Sequence, residues 1–214
     1  MKSRFFRIAA GGAALTACAA AAYPVLWRRR CLTWGATADE VRRGMPGDEL
    51  LPVPDLLATR AVTIKAAPIA IWPWLVQMGS GRGGAYSYDW IENLFGLNMH
   101  SANEIIPELQ DLKEGDLLPL GSKGPRMRVE RLEPDRTAVF RSEDGNWVWA
   151  FGIYPDGEMS RLVSRNRIAI PGASTLTRVF NVLVMEPGSL VMERRMLLGI
   201  KERAERGARQ HNLS

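Results

Sequence analysis

The sequence predicts an α+β domain in which an antiparallel β-meander packs on a long C-terminal helix. Three observations carry this. From Gly115 onward, strand-like segments are separated by short turn-forming stretches, among them Glu133-Pro134-Asp135, Asp144-Gly145-Asn146 and Pro155-Asp156-Gly157. Connections that short join antiparallel neighbours. Ahead of them, Arg60 to Lys65 alternates, with Val62 and Ile64 on one face, as a first strand does. After them, Met192, Met196, Ile200 and Ala204 recur at helical spacing in a segment that begins near Pro187.

The elements follow in order. Ile8 to Trp27 is an uncharged, alanine-rich run of 20 residues with basic residues at both ends. As a helix it would be about 30 Å long, one hydrocarbon thickness. A single-pass anchor in a bacterial inner membrane is the expectation, with Tyr23 and Trp27 in the interfacial belt. Two alternatives stand beside it: a cleaved secretory signal, and a lipoprotein anchored at Cys18, since Leu15-Thr16-Ala17-Cys18 resembles the bacterial lipobox. Thr37-Ala38-Asp39-Glu40 has the form of a capping box and opens a short helix to about Gly44, closed by a turn at Pro46-Gly47-Asp48. The proline-spaced stretch from Leu51 to Leu57 reads as extended linker.

Pro68 opens a helix with the apolar stripe Ile69, Trp72, Leu75 and Val76, which is expected to kink or restart at Pro73. Glycines 79, 81, 83 and 84 end it. Ser87 is positioned to cap a further helix through Trp90, Ile91, Leu94 and Phe95, and Ser101 to Glu104 has the form of a second capping box ahead of a helix near Ile105. The strands expected after Arg60–Lys65 are Asp116–Leu120, Met127–Glu133, Thr137–Ser142, Trp147–Tyr154 and Arg161–Ile170, and helical periodicity returns at Leu176, Val179, Phe180 and Leu183. The chain thus divides into an anchor or signal segment (1–30), a linker with a short capped helix (31–58) and a folded domain (59–210).

Charge and cysteine use exclude several function classes. Six of the 28 Lys and Arg lie within residues 1–30, where there is no acid, so 22 stand against all 23 Asp and Glu in the rest. The basic balance therefore belongs to the N-terminal segment, and a nucleic-acid partner is not expected. With 2 Cys and 2 His, neither a disulfide framework nor a cysteine- or histidine-based metal site can be assembled, and no metal or cofactor is expected.

Potential ligand contacts concentrate between Pro68 and Gly96. Trp72, Trp74, Tyr86, Tyr88 and Trp90 are interleaved with Gln77, Arg82, Asp89, Glu92 and Asn93, and polar groups set in an apolar wall orient a ligand. Gly79, Gly81 and Gly84 match G-x-G-x-x-G, but no strand precedes them and no βαβ series follows, so a flexible connection, or a hinge at a cavity mouth, fits better than a dinucleotide loop. Arg161, Arg165 and Arg167 share one strand face and read as a solvated ladder, or, if turned inward, as a site for an anionic head group.

The order of elements, with the words Trp72-Pro73-Trp74-Leu75-Val76-Gln77-Met78-Gly79, Gly81-Arg82-Gly83-Gly84, Tyr86-Ser87-Tyr88-Asp89 and Met192-Glu193-Arg194, resembles the SRPBCC superfamily of START, birch-allergen-like and polyketide cyclase/dehydrase proteins, in a bacterial branch. The resemblance covers about Trp34 to Arg206 and implies a helix-grip fold, a curved antiparallel sheet wrapped around the C-terminal helix. It brings no catalytic motif, because that scaffold serves carriers, receptors and enzymes alike. The expected function is a membrane-tethered binding protein for a lipid, isoprenoid or polyketide-like molecule. Trp74, Tyr86, Trp90, Met192 and Met196 would supply apolar contact, and Gln77, Arg82, Tyr88, Asp89 and Asn93 orientation. The alternative is a cyclase or dehydratase with Tyr86, Tyr88, Asp89 or Glu92 as acid or base and Arg82 stabilising an enolate. A second alternative is a membrane-bound interaction module with a filled core.

Overall fold

The computed structural model describes residues 27–121 and 126–211. Six strands form one antiparallel sheet: β1 (Leu56–Ile64), β2 (Leu117–Pro119), β3 (Arg126–Glu133), β4 (Thr137–Ser142), β5 (Trp147–Asp156) and β6 (Met159–Ile168), in the order β1-β6-β5-β4-β3-β2. Strands β2 to β6 make the expected meander, and β1 closes it by pairing with β6, Ala61 opposite Val163. Helices α1 (Arg28–Leu32) and α2 (Ala38–Arg42) precede the sheet, α3 (Pro68–Val76) and α4 (Asp89–Leu94) lie between β1 and β2, and α5 (Thr175–Phe180) runs through a π turn (Asn181–Met185) into the long α6 (Glu186–His211). This is the helix-grip arrangement.

Period-two alternation decides which layer each strand residue joins. On the concave face, Val62, Ile64, Phe140, Phe151 and Leu162 bury against Ile71 and Leu75 of α3 and Leu197, Ile200 and Ala204 of α6. On the convex face, Val139, Val148, Ala150 and Val163 bury against Met45, Leu50 and Leu51. The segment 31–58, expected as a linker with a short capped helix, thus supplies a packed layer through Met45, Leu50 and Leu51, and this changes the reading of the three arginines. They lie on the convex face, but beneath that layer rather than in solvent. Arg165 is 2% exposed, bonded to Asp48 (2.7 Å), Thr59 (3.0 Å) and the carbonyl of Glu40 (2.7 Å). Arg161 holds Glu40 (2.8 Å), and Arg167 donates to the carbonyls of Leu51 (2.8 Å) and Pro52 (2.9 Å). Neither a solvated ladder nor an anion site is formed.

Local signals held where a tertiary contact left the local bonds in place, as Arg161 does at Glu40. The Thr37–Glu40 capping box forms, with Glu40 N–H on Thr37 Oγ1 (3.2 Å) and Thr37 N–H on Glu40 (2.7 Å). Pro73 neither starts nor breaks α3. The N–H it lacks would have served the carbonyl of Ile69, on the exposed side of the helix. Ser87 caps no helix, because its hydroxyl donates to the carbonyl of Met192 (3.1 Å) on α6. The second capping box also fails. Ser101 donates to Asp89 and accepts from Tyr86 N–H (2.9 Å), and only a short 3-10 turn follows at Pro107–Leu109. No helix among the described residues is long and apolar enough to cross a membrane. The expected anchor, apart from Trp27, lies outside the described residues.

Candidate functional site

A cavity of about 420 Å³ opens between the concave face of the sheet and the first turns of α6. Strand alternation builds its floor. Leu56, Ala58 and Arg60 from β1, Trp147 and Trp149 from β5, and Asn166 and Ile168 from β6 all point to this side. The opposite wall is Ser189, Met192, Glu193 and Met196 of α6, on one face by the i, i+3, i+4, i+7 rule. Two segments distant in sequence complete it: Ala85, Ser87 and Glu92 around α4, and Ile170, Asn181 and Met185 around α5 and the π turn.

The lining is mainly apolar. Trp147 and Trp149 stack with centroids 5.7 Å apart, and their indole N–H groups donate to Asn166 (2.8 Å) and Ser164 (2.9 Å). A closed polar network sits among them. Arg60, 1% exposed, donates through Nε to the carbonyl of Cys31 (3.1 Å), through Nη2 to Ser189 Oγ (3.0 Å) and through Nη1 to Glu193. Asn166 Nδ2 also donates to Glu193 (3.1 Å). Burial pushes the Glu193 carboxyl up, against the pull of Arg60 and of the bonds from Ser164 and Asn166.

Glu92 differs from these groups. It is 8% exposed and its Oε2 has no hydrogen-bond partner among the described residues. Burial first, and the charge of Asp89 second, push its carboxyl up to about 7. Its direction is set by two neighbours that pin α4 to the following loop. Asp89 accepts from the backbone N–H (2.7 Å) and hydroxyl (2.5 Å) of Ser101. Asn93 and Met99 exchange two bonds, at 2.9 and 2.6 Å. With those pins in place, Trp90, Leu94 and Phe95 face outward and Glu92 faces the cavity.

Of the residues singled out in the sequence, Met192, Met196 and Glu92 line this cavity. Trp74, Gln77, Arg82, Tyr86, Tyr88, Asp89, Trp90 and Asn93 do not. Trp74 and Tyr86 are core, in edge-to-face contact at 5.7 Å, with the Tyr86 hydroxyl donating to the carbonyl of Trp74 (2.9 Å) and the phenol pushed upward by burial. Gln77 accepts from Ile106 N–H (2.9 Å) and donates to the carbonyl of Glu104 (3.1 Å). Arg82 donates to the carbonyls of Val76 (3.0 Å) and Leu109 (3.1 Å), and burial lowers its pKa. Tyr88 is the half-buried N-cap of α4, and Trp90 is exposed.

The glycine stretch is no hinge at this mouth. Gly79 and Gly84 exchange backbone bonds (2.9 and 3.1 Å), and Gly83 donates to the carbonyl of Gln77 (2.8 Å). At Gly84, φ is +71° and a Cβ would come within 2.7 Å of Ser101 backbone. The glycines serve a close-packed turn.

Arg60, Trp147, Trp149, Asn166 and Glu193 were missed in the sequence. The signal was present: Arg60 shares the face of Val62 and Ile64, and Glu193 lies between Met192 and Met196. A charged residue at a core-facing register position marks a buried network. Among the described residues, no group of three His, Cys, Asp or Glu is placed to hold a metal.

No protein-family model matches the chain, and no curated protein does. Solved structures do. It is similar to the KanY protein at 16% identity and TM-score 0.49, over 72% of this chain and 99% of that one. It is similar to the self-sacrificing resistance protein CalC from Micromonospora echinospora at 12% and 0.44, over 72% and 97%. It is similar to the polyketide-cyclase-like protein Cgl2372 from Corynebacterium glutamicum at 17% and 0.34, over 73% and 91%. These neighbours are of the SRPBCC, polyketide-cyclase-like type. At such identities and scores they accompany the fold and carry nothing about substrate.

Proposed function

We propose that the protein binds a hydrophobic or amphipathic small molecule between its sheet and α6. The observation that carries this reading is the cavity itself. About 420 Å³ lies within the range of small-molecule sites, roughly 300–1,000 Å³, and the lining is apolar with few polar groups. Met185, Met192 and Met196 suit a lipid, isoprenoid or polyketide-like body of variable shape, since methionine repacks at low cost. Native mass spectrometry of full-length protein from detergent tests the reading: a co-purified small molecule is expected, displaced when Met196→Trp fills the cavity. Protein that carries no ligand and shows no affinity for apolar probes would overturn it.

The proposal includes a membrane tether at residues 8–27. Trp27, where that run ends, is exposed, and Arg28 next to it pairs with Glu186 (2.8 Å) at the start of α6. That brings the end of the run beside an exposed apolar stripe, Leu176, Val179, Phe180 and Val184, which borders the cavity-lining Asn181 and Met185. Membrane fractionation of the full chain and of Cys18→Ser separates a helical anchor, which survives the change, from a lipid anchor, which does not. Recovery wholly in the soluble fraction argues against both.

A second reading, a cyclase or dehydratase, is favoured by Glu92 alone. A buried carboxyl that titrates near neutrality and faces a cavity is suited to proton transfer. Turnover of a polyketide-like substrate that falls on the order of a hundredfold in Glu92→Gln, with binding retained, would establish it.

A further inference from the structure

Among the described residues, the one cation in the cavity lining is already committed. Arg60 is the lining's guanidinium, and it is bonded to Cys31, Ser189 and Glu193. Arg82, the arginine nearest in sequence to α4, is turned away to two backbone carbonyls. An anionic head entering the cavity would meet the unpaired Glu92 and, among the described lining residues, no uncommitted positive charge, and an unpaired charge in an apolar site is costly. A cationic head would find Glu193 already paired with Arg60, would meet only Glu92, whose neutral form burial favours, and would lose its water to a largely apolar wall.

The remaining polar demand is local. Glu92 Oε2 lies buried on the cavity wall without a partner among the described residues. In such surroundings the neutral acid is the less costly form, and it is the form that carries an O–H donor. An O–H in an apolar cavity calls for an acceptor, and among the described residues none is bonded to Glu92 Oε2. Ser87 donates its hydroxyl to Met192, and Asn166 accepts from Trp147 while donating to Glu193.

We propose that the ligand is uncharged and carries a hydrogen-bond acceptor, of the ketone, ester or alcohol class, seated against Glu92, with its apolar body along Trp149 and Met192. This rests on the binding reading above and sharpens it, since a fatty-acid carboxylate, a phosphate head and an alkylammonium are all disfavoured. Glu92 thereby becomes the specificity-determining group of the cavity.

The test is calorimetric titration of the detergent-solubilised full chain at pH 6 with three probes of one chain length: 2-dodecanone, dodecanoate and dodecylammonium. The ketone is expected to bind at least about tenfold more tightly than either ion. Glu92→Leu should weaken the ketone about tenfold, whereas Glu92→Gln, whose amide still donates, should hold it within about threefold. Leucine in place of a buried carboxyl keeps the volume, and thermal melting of both variants verifies the fold. Dodecanoate or dodecylammonium binding more tightly than the ketone overturns the inference, as does an unchanged ketone affinity in Glu92→Leu. If all three bind alike in every variant, the head-group inference falls and the cavity reading stands. If none binds the wild-type protein, both fall.

Discussion

The turn region between Gln77 and Gln110 and the cavity wall are built from the same kinds of residue, aromatics interleaved with amides, arginines and carboxylates. They differ in where the polar atoms end. In the turn region Gln77, Arg82, Asp89 and Asn93 end mainly on backbone groups, with Ser101 and Gln110 as their side-chain partners and, among the described residues, only Arg82 Nε left open, and so hold an irregular stretch that has no sheet ladder of its own. On the cavity wall, Arg60 and Asn166 both donate to Glu193, and Glu92 keeps an oxygen unpaired. Backbone that is buried without regular structure consumes side-chain donors and acceptors. Polar side chains flanked by complete strands and helices are left to meet each other or a ligand. Composition alone does not distinguish the two cases.

The largest effect is expected on the wall. Arg60→Met strands Glu193 in the interior and should cost about 3–5 kcal/mol of stability in urea unfolding at neutral pH. The cost should shrink in acid, where Glu193, already pushed upward by burial, takes a proton. A change within about 0.5 kcal/mol would show that the network does not hold α6 to the sheet.

Glu92 should give the wild-type protein a pH dependence of the same sign. Its carboxyl sits at about 7 in the fold against 4.5 when unperturbed, so across that window the folded chain keeps a proton that the unfolded chain has lost. Stability contributed by this group is therefore present below about pH 4.5 and lost as pH rises toward 7, by up to about 3 kcal/mol. Glu92→Gln should flatten that fall, read as the difference between the two proteins' unfolding free energies at pH 5 and pH 8. Parallel curves would mean that Glu92 has a partner.

Gln77→Leu sharpens the contrast from the other side. It leaves Ile106 N–H and the carbonyl of Glu104 without their partner and should cost about 2 kcal/mol, while probe affinity of the folded protein stays at the wild-type value. Lost affinity with unchanged stability would move Gln77 to the ligand. The smallest effect is expected for Gly81→Ala. The residue has φ +67° with open space around it, so strain of about 1 kcal/mol is expected and ligand exchange should keep its rate. Slower exchange would restore a gate at this turn.

The meander, its hairpin turns and the final helix were legible in the sequence because each depends on residues within a few positions of one another. Thr137–Ser142 came out as expected, and the capping box at Thr37 closed as written. The first strand was read four residues short, since Leu56 to Thr59 follow a proline-rich approach that locally resembles linker. Two serine caps were misread because Met192 and Asp89 claimed the hydroxyls through tertiary contact. The sequence by itself also determined that the chain holds enough apolar surface, at the right periods, for one face of the sheet to meet α6. Which polar atoms remain unpaired was decided only by the tertiary structure. Arg60 meets Glu193 across 133 residues, and Glu92 is aimed by bonds that Asp89 and Asn93 make to the loop beyond it. Periodicity assigns a residue to a face, but a hydrogen bond is satisfied or left open only once the opposite face has arrived.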